Sequence, residues 1–535
     1  MKKNIESIKV IIREAKTSLG IELGSTRIKA VLIDLEGNLL ATGNHSWENR
    51  LEDGYWTYHL DDIINGIQEC YEDLISSIEK EYEIIPEKYG AIGISAMMHG
   101  YLAFDENDEL LTPFRTWRNT TTKEASEILS DLFDFQIPQR WSVAHLYQAI
   151  LNKEEHINKI AHITTLAGFV HYLLTGKKVL GIGDASGMFP IGTTNDYDNN
   201  LLDIFDDNAA KFGLQWKIRE ILPEVINAGD DAGYLSEEGA KILDMSGTLK
   251  AGIPLCPPEG DAGTGMIATN SITERTGNIS AGTSIFLMAV LEKALSKRYP
   301  QLDIVSTPDG KPVAMVHCNN CTADIDAWLK VFVQLLQAFC CVVDTHTLYF
   351  TLFQKALYAN TDAGGLLSYN FLSGEHLVDL EEGRPLFVRM PDAEFTLENF
   401  MRSLLYSSFA CLRIGLEILE AENVKLDRLL GHGGLFKSSK VAAGFIASAL
   451  NCPVSVMESA GEGGAWGIAL LAAYRIAHER DSRLPLSNWL DAEIFANLKT
   501  RTENPDSYDA KGFEKYFDLY KKGLNIEKTA IKCIS

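Results

Sequence analysis

Ser18-Leu-Gly-Ile-Glu-Leu-Gly-Ser-Thr-Arg-Ile-Lys-Ala-Val-Leu-Ile-Asp-Leu-Glu-Gly-Asn-Leu-Leu40 is the stretch on which the fold turns. An apolar run ends at Leu23, Gly24-Ser25-Thr26 turns the chain, and a second run extends from Ile28 to Leu35. Glu36-Gly37-Asn38 then turns it into a third strand, so the stretch predicts a β-meander. In the first turn, backbone N–H groups and two hydroxyls can converge on an anionic oxygen, as in a phosphate site. A plain hairpin that needs small residues at its turn has the same composition, so the rest of the chain has to decide.

The theme returns at Gly277-Asn-Ile-Ser-Ala-Gly-Thr-Ser-Ile-Phe-Leu-Met288, again strand, Gly282-Thr283-Ser284 turn, strand. Two such hairpins could grip a polyphosphate from opposite walls of a cleft. A third glycine loop, Leu429 to Ser439, follows a strand and opens a helix. Bare backbone at Gly433 and Gly434 would let a flat base approach, and a helix N-terminus favours negative charge. Gly461 to Gly467 opens a further helix of small apolar residues through Ala473, suited to close packing under a nucleotide.

Between the hairpins, the sequence predicts a long helix over Leu60 to Lys80, with apolar residues at Ile63, Ile64, Ile67, Tyr71, Leu74, Ile75 and Ile78. A buried strand from Tyr89 to Ser95 ends in Ala96-Met97-Met98-His99-Gly100 and turns into a strand from Tyr101 to Asp105. In an α/β sheet, a His at the carboxyl end of a strand faces the crevice where ligands sit, although a lone His is more often structural than functional. In the polar segment Pro113 to Thr120, Trp117 could stack on a sugar and Asn119 could hydrogen-bond it; a surface loop with a buried Trp anchor is the plainer alternative. Helices follow to about Thr175, with Gly176 as a C-cap. Ile253 to Cys256 is expected as a short strand leading into the loop Pro257 to Gly265, and a boundary falls near Leu249 to Gly252.

At 535 residues the chain is too long for one ordinary core, which implies two large domains. Its 46% hydrophobic and 23% charged residues are those of a globular protein. Lys+Arg 49 against Asp+Glu 73 gives a net charge of −24, which disfavours general binding to nucleic acid or anionic membrane. Nine cysteines in no regular framework read as reduced thiols in a cytoplasm. Cys318-Asn-Asn-Cys321 has the spacing of half a zinc site but no second pair nearby, so packing is the better expectation. Ile5, Ile8, Ile11 and Ile12 predict a short amphipathic helix rather than a signal peptide, and Val331 to Val343 is too short and polar to span a bilayer. Beyond Ala473 the chain reads as peripheral helix with a solvated Lys-rich tail. No Gly-x-Gly-x-x-Gly or Gly-x-Ser-x-Gly pattern is satisfied, and Phe436 stands where a P-loop ending in Lys437-Ser438 needs glycine.

With the glycine turns, the Met98-His99-Gly100 turn and Gly260-Asp261 in this order, the chain resembles the FGGY carbohydrate kinases from roughly Ser18 to Tyr474. The resemblance implies an α/β fold of two actin-like ATPase (ribonuclease H-like) domains, each on a five-stranded mixed sheet, with ATP and sugar in the interdomain cleft. It divides the chain into a sugar-binding and first phosphate-loop domain, 1–250, and a nucleotide-binding domain, 251–535. It assigns Gly24, Ser25, Thr26, Arg27, Gly282, Thr283, Ser284, Gly433, Gly434 and Lys437 to ATP, and Met98, His99, Trp117, Asn119 and Asp261 to the sugar. Asp261 becomes the catalytic base, and Glu22 with Asp261 the protein ligands of Mg²⁺. Two departures stand out: Glu22 replaces the family's usual Asp, and Trp117-Arg118-Asn119 replaces Trp-x-Asp. Met98-His99-Gly100 and Asp184-Ala185-Ser186-Gly187 look like the xylulokinase branch, and Gly433-Gly434-Leu435 like ribulokinases. The expected activity is transfer of the ATP γ-phosphate to a terminal hydroxyl of a ketopentose by a cytoplasmic enzyme, a homodimer at the level of the family.

Overall fold

The computed structural model describes residues 4–438, 440–457, 463–496 and 498–534. It divides into two units. The first comprises Met1–Ile272, Ile304–Val313 and Gly461–Asn497; the second comprises Thr273–Asp303, Ala314–Ala460 and Leu498–Ser535.

The first unit is built on five strands: β1 (Thr17–Leu23), β2 (Arg27–Asp34), β3 (Leu39–Ser46), β4 (Ala91–Ala96) and β5 (Glu259–Gly260). Their order is β5-β4-β1-β2-β3. β1 to β3 form the expected antiparallel meander, with Leu23 opposite Ile28, while β4 runs parallel to β1 and β5 parallel to β4. β1 is buried at nearly every position because both faces of the sheet are covered.

Four helices complete the frame: α1 (Ile5–Arg13), α2 (Leu60–Tyr82), α3 (Asp261–Ala268) and α4 (Gly463–Arg480). α2 packs on β2 and β3, burying Ile63, Ile67, Tyr71, Leu74 and Ile78, and α4 packs on β1, β4 and α3. The approach of α4 is set by missing side chains: a Cβ on Gly20 would stand 2.3 Å from the Ala465 carbonyl oxygen, and one on Gly467 2.0 Å from that of Thr264. At those separations the backbones themselves would have to part.

Three expectations are corrected here. The division at residue 250 is not that of the fold, because β5 joins the first sheet and α3 packs against α4; Ile253 to Cys256 is held by single bridges, Ile92 to Leu255 and Tyr234 to Pro254, rather than forming a ladder strand. The small-residue helix expected under a nucleotide in the second half is α4, which returns to the first sheet.

A second large sheet is built from β6 (Thr276–Ala281), β7 (Ile285–Val290), β8 (Asp303–Ser306), β9 (Pro312–Cys318), β10 (Arg428–His432), β11 (Val454–Met457) and β12 (Thr500–Glu503). They form a seven-stranded sheet, ordered β8-β9-β7-β6-β10-β11-β12, where five strands were expected. β6 and β7 are the second hairpin, antiparallel, and β10 runs parallel to β6. The C-terminal helix Ser507–Cys533, expected at the periphery, buries Phe513, Tyr516, Phe517 and Tyr520 at helical spacing. Its Tyr516 donates to the Ser403 carbonyl on the buried helix Leu397–Ala421. Among the described residues no helix is long and apolar enough to cross a membrane.

Candidate active site

The first turn is tied down through its carbonyls. Trp47 Nε1 donates to the Gly24 carbonyl at 2.7 Å, the Tyr58 hydroxyl to the Ser25 carbonyl at 2.6 Å, and the Trp47 backbone N–H to the Thr26 carbonyl at 3.2 Å. Trp47 and Tyr58 are buried and stack on each other with centroids 4.2 Å apart. In a planar trans peptide the N–H points opposite to the C=O. The N–H groups of Ser25 and Thr26 therefore face away from these tethers, and Thr26 and Arg27 are exposed.

Asp261 is the first residue of α3, directly after the short strand β5, and its Oδ1 accepts the Met98 backbone N–H at 3.0 Å. Its side chain stays accessible to solvent, yet the protein mass around it displaces water and raises its pKa, opposed by its backbone hydrogen bonds, that from Met98 first. Glu22, at the end of β1, accepts the Ala465 N–H at 3.1 Å; burial first, and the Asp261 charge second, push its carboxyl up to about 7. Asp184 and Glu259 are fully buried beside them. Glu259 takes the N–H groups of Asp184 at 2.9 Å and Gly183 at 3.3 Å, and Asp184 takes the Thr165 hydroxyl at 2.6 Å. Burial pushes Asp184 up to about 7 and Glu259 to about 8. Asp261 is the one of these carboxylates left exposed at a helix start.

Met98 and His99 follow β4. His99 sits in the left-handed backbone region at φ 71°, followed by Gly100 at φ 94°, a strained pair that makes a sharp turn. The His99 ring is buried against Trp141, and its Nδ1 lies 3.2 Å from the Gly187 carbonyl, which fixes the proton on Nδ1. Trp117 is 38% exposed, and its Nε1 donates to the Ser25 hydroxyl at 3.2 Å.

Asn119 differs from the expectation that it contacts a sugar. Its amide is buried and spent on backbone, accepting the Trp56 N–H at 2.8 Å and donating to the carbonyls of Trp56 at 2.9 Å and Thr116 at 3.0 Å. It is a splint for the Trp117 loop.

In the second unit the Gly282-Thr283-Ser284 turn repeats the device. The Gly282 carbonyl accepts the Thr322 N–H at 3.1 Å and the Thr322 hydroxyl at 2.9 Å, and the Thr283 carbonyl accepts the Cys321 N–H at 2.9 Å. The N–H groups of Thr283 and Ser284 are thereby turned the other way. Gly433, at φ 97°, lies against the end of β6: a Cβ there would stand 2.5 Å from the Ala281 carbonyl oxygen. Gly434 has open space where its Cβ would be and begins the helix Gly434–Ser438. The side chain of Lys437 lies outside the described residues.

Within the first unit the structure thus brings Asp261 to Met98, Glu22 to α4 and Trp117 to Ser25; within the second it brings Gly433 to the second turn. Sequence reasoning missed Trp47, Tyr58 and Thr322, which work through backbone carbonyls, and Glu259, Thr264 and Gly464, which line the acidic cluster. Only the aromatic run Trp47 to Tyr58 carried a signal, and it named no partner.

Two mixed-sheet units, each ending a hairpin in a carbonyl-tethered turn, with an accessible carboxylate at a helix start, are the frame of an ATP-using sugar phosphotransferase. The chain belongs to the FGGY family of carbohydrate kinases: residues 17–268 match the family's N-terminal domain and residues 277–476 its C-terminal domain. A xylulose kinase of Haemophilus influenzae is 23% identical over 441 residues, 79% of this chain and 83% of that protein. The ligand-bound xylulose kinase structure from Lactobacillus acidophilus superposes with a TM-score of 0.77 at 19% identity, over 95% of this chain and 98% of that one. The Plasmodium falciparum glycerol kinase structure with ADP does so with a TM-score of 0.75 at 17% identity, over 96% and 98%. The fold is accordingly the actin-like ATPase (ribonuclease H-like) one.

Proposed function

We propose that this kinase transfers the γ-phosphate of ATP to a terminal hydroxyl of a ketopentose such as xylulose or ribulose. The observation that carries the mechanism is Asp261: an accessible carboxylate, oriented by the Met98 N–H, with a pKa raised above that of an ordinary aspartate. A sugar hydroxyl attacks phosphorus only as its proton finds an acceptor, and a more basic carboxylate accepts it better. Met98, His99 and Trp117 are proposed to hold the sugar, with the buried and oriented His99 ring setting the polarity of the site. Asn119 acts on the sugar only through the Trp117 loop, so Asn in place of Asp carries no information about the sugar's charge. Ser25 and Thr26, with Arg27, and Thr283 and Ser284 are proposed to receive phosphate oxygens on their outward N–H groups, and Gly433 and Gly434 to lie against adenosine.

The residues present fit a magnesium ion. The Asp261 charge raises the cost of charging Glu22, which a divalent cation relieves, and among the described residues no set of three or more His, Cys, Asp or Glu side chains stands ready to hold a metal. Two carboxylates, with water and phosphate supplying the rest, suit Mg²⁺, which keeps much of its hydration. When bound, the ion would neutralise charge on the transferring phosphoryl group.

The xylulose kinase relatives support the ketopentose, and the glycerol kinase neighbour keeps polyols in the test. The test is a coupled ADP-release assay over xylulose, ribulose, glycerol and gluconate, with wild type and Asp261→Asn. Sugar-dependent ADP release that is greatest on a ketopentose and is lost in Asp261→Asn is expected. A best rate on glycerol or gluconate overturns the substrate, and an unimpaired Asp261→Asn overturns the base.

A further inference from the structure

Both turns assigned to phosphate make the same unusual use of their carbonyls. At Gly24-Ser25 the acceptors are claimed by two side chains remote in sequence, the Trp47 indole and the Tyr58 hydroxyl. At Gly282-Thr283 they are claimed by Thr322 and the Cys321 backbone. A two- or three-residue turn left to itself is free to rotate its peptide planes, and a flipped plane would offer phosphate a carbonyl instead of an N–H. Each tether therefore decides the sign of the partial charge that the turn presents. Burial pushes the Tyr58 phenol up to about 12, so it remains a donor at any physiological pH.

We propose that Trp47 and Tyr58 in the first turn, and Thr322 in the second, are positioning residues that lock the peptide planes of the phosphate turns with their N–H groups outward. The proposal rests on the reading of these turns as phosphate sites. The three side chains are spent on turn carbonyls, and each is proposed to act by holding a peptide plane whose opposite edge meets the nucleotide. Pre-organised donors gain their advantage by needing no reorganisation when charge arrives. Trp47 also stacks on Tyr58, so the two tethers of the first turn brace each other.

Tyr58→Phe and Thr322→Val each remove a hydroxyl and leave the shape of the side chain, and Trp47→Phe removes the indole donor while keeping an aromatic ring for the stack. Inhibition constants for ADP, inorganic pyrophosphate and adenosine are measured on each full-length variant, beside its melting temperature and the KM for sugar. Losing one oriented donor is expected to weaken ADP and pyrophosphate about three- to tenfold, with adenosine and sugar unchanged. A merely structural role would lower the melting temperature without that selectivity. ADP and pyrophosphate binding at wild-type strength in Tyr58→Phe and Thr322→Val would overturn the positioning role. A wild type that binds ADP no better than adenosine would remove phosphate from the turns, and this proposal with it, whether or not sugar is phosphorylated.

Discussion

Asp261 and Gly464 bear on the same carboxylate pair in different ways. Asp261→Asn keeps an acceptor for the Met98 N–H but cannot take a proton. Its kcat is expected to fall by roughly 10²–10⁴-fold with sugar binding by calorimetry retained, whereas a loss confined to KM would place Asp261 in binding alone. A Cβ on Gly464 would stand 2.2 Å from Glu22 Oε1 and 2.8 Å from Thr264 Oγ1, the movable ends of side chains rather than backbone. Gly464→Ala is therefore expected to fold, to displace the Glu22 carboxylate, and to raise the magnesium concentration needed for half-maximal rate. An unchanged magnesium dependence would separate Glu22 from the metal. Asp261 was singled out in the sequence through the resemblance to the family, although the loop expected around it is the strand Glu259–Gly260 and the start of α3. The role of Asn119 as a splint was not legible there, because only three-dimensional contacts show that its amide is bonded to the backbone of Trp56 and Thr116.

At the scale of elements, α4 is held against β1 at Gly20 and against α3 at Gly467 at distances that only glycine allows. The obstacle at Gly20 is the backbone of Ala465 and Ala469, and at Gly467 that of Thr264, neither of which can rotate aside. Gly20→Ala and Gly467→Ala are expected to cost about 2 kcal/mol or more, since overpacking a tight contact forces backbone shifts. Chemical denaturation reads this directly, and a loss below 0.5 kcal/mol would mean that α4 sits less tightly on the sheet. The two hairpins were readable as elements because a glycine-bearing turn between apolar runs has few other solutions. The helix Ser507–Cys533 was misjudged because its many lysines and acids obscure the spacing of Phe513, Tyr516, Phe517 and Tyr520, which does mark a buried stripe.

Over the whole molecule, charge and buried histidines set the response to acid. Burial lowers the pKa of His145 to about 3 and those of His162 and His171 to about 4, and all three lie in the first unit. In the unfolded chain they titrate near 6.5, so between about 6.5 and 4 the unfolded state binds more protons. Stability contributed by keeping them neutral is complete above 6.5 and is lost as pH falls through that window. The melting temperature is expected to drop from pH 7 to pH 4.5, and His171→Gln, which keeps a donor for the Ala232 carbonyl, is expected to flatten the slope. An equal slope in that variant would place the acid sensitivity elsewhere.

The sequence by itself determined the β-meander, the repeated glycine turn and the family, because these are local patterns whose spacing a backbone can satisfy in few ways. Only the tertiary structure decided that residues 251–272 and α4 belong to the first unit, that Asn119 is a splint, and which side chains hold the turns. Those outcomes depend on which distant segment fills a given hydrogen bond or a given gap. A carbonyl at Ser25 can be claimed by any donor the fold delivers, and nothing in the neighbouring residues says that it will be Tyr58.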